Sequence, residues 1–398
     1  MKAANIREVR IDGRWVVHSY YTLDPYATDG SGRILCAGCY PDSGIGEVFI
    51  LDTDGRVIDR FGKQRVSAIF YHTGFWQSWG RDCRYVYYQS SDGDPTKPRV
   101  TVRELSTGHE ETIDADCEGT PVYGEPFLYG LSGMYYASGY RDGGYHPEES
   151  PIPFEARDEH GLFMASPLTG EKKLVLSIND ILKVHPLRER LLEEDKKYPN
   201  GLTLMVYCAR FDRAGKRVMF HFGNHCTGRS RGEPHVMSLF TADFDPVTKQ
   251  ISNLAQALDM NFEKTGVHWS WDNDGELLGY YGDGEPNRLY AVDRDGKNLR
   301  KLSDSAFIGG HPSVSPADRS VIVTDGAWGR QGRVLFLKDG REELEIRLGK
   351  RVEGVTIPKG RNRYFVCHHP VFSPDGSRVL CNSMKDGLAG LCEITLEY

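Results

Sequence analysis

Residues 369–376 read HPVFSPDG, and the chain repeats this phrase with variations. Residues 311–318 read HPSVSPAD, residues 268–275 read HWSWDNDG and residues 208–215 read CARFDRAG. Each phrase opens on a His or Cys, reaches a Val or aromatic residue three places later and then enters a polar turn. Aligned on that Val or aromatic residue, the opening slot holds Cys208, His268, His311 and His369, at spacings of 60, 43 and 58 residues. Self-similarity at such a period marks a repeat architecture.

A second set of turns recurs along the chain: LDTDGRVI at 51–58, DRDGKNLR at 293–300 and LKDGREEL at 337–344. Each joins two alternating segments through an Asp-Gly turn, which is hairpin chemistry. Every unit therefore reads strand, turn, strand, loop, strand, turn, strand, at a period of roughly 40–60 residues, the pattern of a β-propeller blade. The expected fold is all-β: a single seven-bladed β-propeller domain over residues 1–398. The last blade has only three strands before Tyr398, and REVRIDGRWV at 7–16 is spare. An N-terminal strand closing the last blade would remove two exposed edges at once. One segment departs from the pattern: residues 178–198, INDILKVHPLRERLLEEDKKY, read as a short charged helical insertion between blades three and four. A long polar loop, residues 139–160, belongs at one mouth.

Composition supports this reading and narrows the function. With 39% hydrophobic and 26% charged residues the chain can build a core. Its 44 Gly and 21 Tyr suit short strands and tight turns. The net charge of −7, with no dense Lys/Arg stripe, argues against a nucleic-acid partner. No apolar run is long enough to cross a bilayer, so no membrane partner is expected. The opening MKAANIREVRIDGRW has no apolar core of a signal peptide, and nine scattered Cys fit no small disulfide scaffold; a reduced, cytoplasmic setting is expected.

The slot carries the chemistry. Equivalent positions on neighbouring blades are related by rotation about the propeller axis. If the slot lies on the innermost strands, Cys208, His268, His311 and His369 converge beside the central channel. His and Cys converging from several blades make a transition-metal site, and a Cys–His₃ set favours zinc over manganese. If Cys208 only packs, three His with water and a carboxylate or amide suit manganese as well. A repeat-wide structural role for these residues is the competing reading.

The motifs GGHPSVSPADRSVIVTDG (309–326), VHWSWDNDG (267–275) and CHHPVFSPDG (367–376) resemble those of oligogalacturonate lyases and propeller-type ulvan lyases. The resemblance extends to HTGFWQSWGRD (72–82), RDGGYHP (141–147) and HGLFMASPLTGEKKLVLSINDI (160–181). It implies a seven-bladed propeller that cleaves a uronic-acid-containing glycan by β-elimination, with an acidic oligosaccharide as substrate. In the first family, positions matching His311 and His369 hold manganese and a His matching His268 is the proposed base. That family's His-Pro-His-Pro ligand motif is Cys-His-His-Pro here, so the sequence departs from the family's ligand pattern at Cys367. In the second, the inner ring holds a structural zinc and catalysis uses earlier blades. The residues that fit those roles are His72 as base, Tyr145 as acid or base, and Arg141 as carboxylate clamp.

Four ligands including Cys208 would saturate tetrahedral zinc and leave no position for substrate, which favours the second layout. The competing layout sets His268 as base beside a catalytic metal on His311 and His369. Two other classes remain open: a non-catalytic glycan-binding or scaffold propeller, and a glycoside hydrolase, although no pair of carboxylates stands out.

Overall fold

The computed structural model describes residues 1–67, 70–94, 97–116, 118–119, 121, 124–130, 153–224, 231–272, 275–305, 309–326, 332–348 and 366–398. Their strands form seven antiparallel sheets arranged as a seven-bladed β-propeller. Six sheets have four strands. The third has three among the described residues, Phe127–Gly130, Gly161–Ser166 and Glu171–Ser177. The N-terminal strand β1 (Lys2–Val9) pairs antiparallel with the C-terminal strand Leu388–Glu397, so both ends of the chain share the seventh blade. Adjacent blades are glued by apolar side chains. Val321 and Phe336 of blade six meet Val379, Cys381 and Ile394 of blade seven in one fully buried cluster. Each such side chain contributes on the order of 1.5–3 kcal/mol by leaving water.

The inserted segment differs in one respect from the single helix expected. It is two short helices, Ile178–Val184 and Arg188–Asp195. The first is started by a capping box: Ser177 accepts from the Asp180 amide while the Asp180 side chain accepts from the Ser177 amide. It stops at His185 because Pro186 disfavours helical geometry in the residue before it. Ile178, Ile181, Leu182 and Leu191 anchor the pair, and most of the charged residues face solvent.

The slot residues lie within the innermost strands of blades four and five and two residues before those of blades six and seven, and the backbone there is unusual. Cys208 (φ 51°), His268 (φ 59°) and His369 (φ 46°) all lie in the left-handed region, as does Trp76 (φ 52°) at the matching place in blade two. Such a conformation costs a non-Gly residue roughly 1–2 kcal/mol. Within the inner strands Met205–Phe211 and Lys264–Trp271 the ladder slips at this point, between Tyr207 and Arg210 and between Val267 and Ser270. In blades four and five the slot is thus a β-bulge. A bulge re-aims a side chain out of the alternating pattern, and here it places the slot beside the channel.

Candidate metal centre and active site

Four side chains from two halves of the chain come together on the channel. His72, His311, Cys367 and His369 offer ligand atoms that all lie within 4.8 Å of one another. His311 and His369 precede the inner strands of blades six and seven, and Cys367 lies two residues before His369. His72 arrives from a one-turn helix, α1 (Phe70–Thr73), in blade two. The ring centroids of His72 and His369 are 4.8 Å apart, and those of His311 and His369 are 4.3 Å apart. His311, Cys367 and His369 are buried; His72 is half-buried and gives the group its contact with solvent.

The sequence-predicted residues therefore fall into three sets. His311 and His369 sit in the donor group, joined by His72. Cys208 and His268 stand outside it: the thiol place is taken by Cys367. Cys208 stands in blade four, two blades from the nearest donor, its amide donating to Glu118 Oε1 at 3.0 Å. His268 lies against the group, its ring 4.0 Å from that of His311. Tyr145 and Arg141 lie outside the described residues.

The donor group fits a divalent transition metal. His311 Nε2 and both ring nitrogens of His369 are buried and hydrogen-bond to nothing among the described residues. A buried polar atom without a partner is costly, and a cation would satisfy these. Metal–nitrogen and metal–sulfur distances of about 2.0–2.3 Å place tetrahedral donors roughly 3.5 Å apart. Small side-chain rotations would close the present spacing to that value. Electrostatics agree, because a ligand histidine must be neutral. Burial drives the His369 pKa well below its ordinary value, helped by the other imidazoles, and brings His72 down to about 3.

One carboxylate stands behind the donors. Asp325, at the end of strand Val321–Asp325, has no solvent exposure. Burial pushes its pKa up, but the His311 ring and its hydrogen bonds more than offset this and hold it at about 2. Its Oδ1 accepts from His311 Nδ1 at 2.9 Å and from the His311 amide at 2.8 Å. The His268 ring is fixed differently. Its Nδ1 donates to the backbone carbonyl of Gly310 at 2.8 Å, so Nε2 carries the lone pair. Burial and the His311 ring keep His268 neutral.

Residues 18–24 lean into the channel over this group. The Tyr20 ring lies 4.8 Å from that of His369 and 5.5 Å from that of His311. Tyr21 donates from its hydroxyl to the His268 carbonyl at 2.6 Å. Tyr21 also lines a cavity of about 180 Å³, together with Arg210, Trp271, Asp272 and Pro312. In blades four to seven most residues lining this cavity follow the slot along the inner strand or its turn, and none of the four donors lines it.

Asp325, Tyr20 and Tyr21 were not legible as site residues. Asp325 precedes Gly326 and reads as turn chemistry, and the tyrosines belong to no repeat. Cys367 stood in the sequence only as a departure from the ligand motif of the resembling family, and the structure brings it into the donor group.

No family model matches the chain, and no curated protein matches it by sequence. Solved structures do match. An oligogalacturonate lyase in complex with manganese aligns with 100% of this chain and 95% of its own, with TM-score 0.66 and 15% identity. An oligogalacturonate lyase from Vibrio parahaemolyticus aligns with 100% of this chain and 96% of its own, with TM-score 0.65 and 13% identity. A prolyl endopeptidase aligns over 97% of this chain and 50% of its own, with TM-score 0.55 and 9% identity. The chain thus resembles oligogalacturonate lyases in fold along its whole length, and at these identities the likeness establishes the fold alone. No helix among the described residues is long and apolar enough to cross a membrane.

Proposed function

We propose that this protein is a metal-dependent lyase that cleaves a uronic-acid-containing oligosaccharide by β-elimination, giving an unsaturated uronate. The observation that carries the reading is the convergence of His72, His311, Cys367 and His369 beside a neutral, oriented His268. The whole-length likeness in fold to oligogalacturonate lyases supports it.

β-Elimination needs three things. The proton on carbon five of the uronate must become acidic, a base must remove it, and the oxygen on carbon four must leave with a proton. A divalent cation on the four donors would have no open position for substrate, so it would contribute positive charge beside the channel, and neutralising the substrate carboxylate, the first requirement, would fall to Arg141. His268 is placed for the second. Its Nδ1 is committed to Gly310, its Nε2 lone pair is available, and burial keeps it unprotonated at neutral pH. His72 then serves as the half-buried donor of the group, and the base is His268. Tyr145 and Arg141 remain the residues proposed to protonate the leaving oxygen and to clamp the carboxylate. The sulfur of Cys367 favours zinc over the harder manganese.

The test is an ultraviolet assay on uronate-containing oligosaccharides with the zinc-loaded protein. A rise in absorbance from the conjugated carbon–carbon double bond is expected. No signal on any uronate substrate, with metal bound, would refute the lyase reading.

A further inference from the structure

Asp325 does more than fill space behind His311. Three N–H groups converge on its carboxylate: the His311 amide, the His311 Nδ1 and, at 3.1 Å from Oδ2, the His369 amide. One residue of blade six therefore grips a donor-bearing residue on each of blades six and seven. Burying a carboxylate is expensive unless its lone pairs are satisfied. The slot does not require such a group for folding. Fourteen residues after the slot, blade four has Phe222, blade five Gly282 and blade seven Ser383.

We propose that Asp325 is the positioning residue of the metal centre, holding His311 in the Nδ1–H tautomer and setting the spacing of the blade-six and blade-seven donors. This rests on the metal-centre reading above. The chemistry is direct. An ionised carboxylate only accepts, so the proton of a neutral His311 must sit on Nδ1. The lone pair is then on Nε2, the atom that is buried without a partner. A carboxylate behind a ligating imidazole also raises its basicity toward a metal. An amide cannot substitute. Asp325→Asn keeps the size but offers one accepting oxygen and two donors, so an NH₂ must face an N–H whichever way the amide is turned.

The first test needs no variant. Long-range proton–nitrogen NMR on the metal-free wild-type protein should show His311 as the Nδ1–H tautomer; the Nε2–H tautomer would overturn the proposal. The second is zinc titration. Asp325→Asn should weaken zinc binding by about 10–100-fold. In a His311→Ala background the same substitution should cost only the fraction that acts through the His369 amide. Unchanged affinity in Asp325→Asn, or an undiminished loss in the His311→Ala background, would overturn the proposal. If the wild-type protein binds no zinc at all, the metal-centre reading fails, whatever the tautomer shows.

Discussion

Blades five and six put a histidine at the same point of the repeat, with rings 4.0 Å apart, and hold them in different ways. His268 sits in a left-handed bulge and gives its Nδ1 proton to a backbone carbonyl. His311 is outside the left-handed region and gives its Nδ1 proton to a buried carboxylate. A carbonyl orients an imidazole. A carboxylate orients it and also adds a negative charge behind it, which suits a ring that meets a cation. The repeat decides where the histidine stands; the residue behind the ring decides what it does. The first is suited to take a proton, the second to bind a metal.

Exchanging the members of this comparison should separate the two roles. The largest effect belongs to the base. His268→Gln should lower kcat by about 10²–10⁴-fold, the usual contribution of a positioned general base, with zinc content by elemental analysis unchanged. A parallel loss of zinc would move His268 into the donor group. Next come the donors. A four-ligand zinc site is worth about 10–16 kcal/mol, so removing one ligand should weaken binding by about a hundred- to a thousandfold. His311→Ala and His369→Ala should show this in competition with a chelating dye, whereas Cys208→Ser, in the same slot of blade four, should leave affinity unchanged.

A histidine outside the slot gives the control for neutrality. The His185 Nδ1 accepts from the Leu187 amide and its Nε2 meets Ser238 Oγ, both at 3.0 Å, and burial lowers its pKa to about 4. The unfolded chain takes up this proton near pH 6.5, well before the folded protein does. Stability is therefore lost as pH falls from about 6.5 toward 4, by up to about 1.4 kcal/mol per pH unit from this residue. Chemical denaturation across that range should show a shallower loss in His185→Gln. The smallest effect is one of selectivity. Cys367→His replaces a soft donor with a borderline one, so manganese should compete better against zinc, with a shift of about tenfold or less in their relative affinities.

The fold was legible because it is written in repeats. Asp-Gly turns and alternating strands recur often enough to give the blade count, and the spare N-terminal segment pointed to the closure, although the closing strand is Lys2–Val9 and Trp15–Val17 belongs to blade one. The slot was legible for the same reason, and two of its four residues, His311 and His369, belong to the donor group. What the repeat could not show is where it is broken. The left-handed backbone aims Cys208 and His369 by local geometry that no residue type announces. His72 reaches the group from a one-turn helix in blade two, and Cys367 from beside the slot. Asp325 looks like half of an Asp-Gly turn until the strand is seen to end against two histidines.

The central claim is a metal centre of three imidazoles and the Cys367 thiolate. X-ray absorption at the zinc edge of the loaded protein tests it most directly. The expected shell is three nitrogens at about 2.0–2.1 Å and one sulfur at about 2.3 Å. The sulfur should vanish in Cys367→Ser and persist in Cys208→Ser. A shell of nitrogen and oxygen only, or a sulfur that disappears with Cys208, would contradict the account.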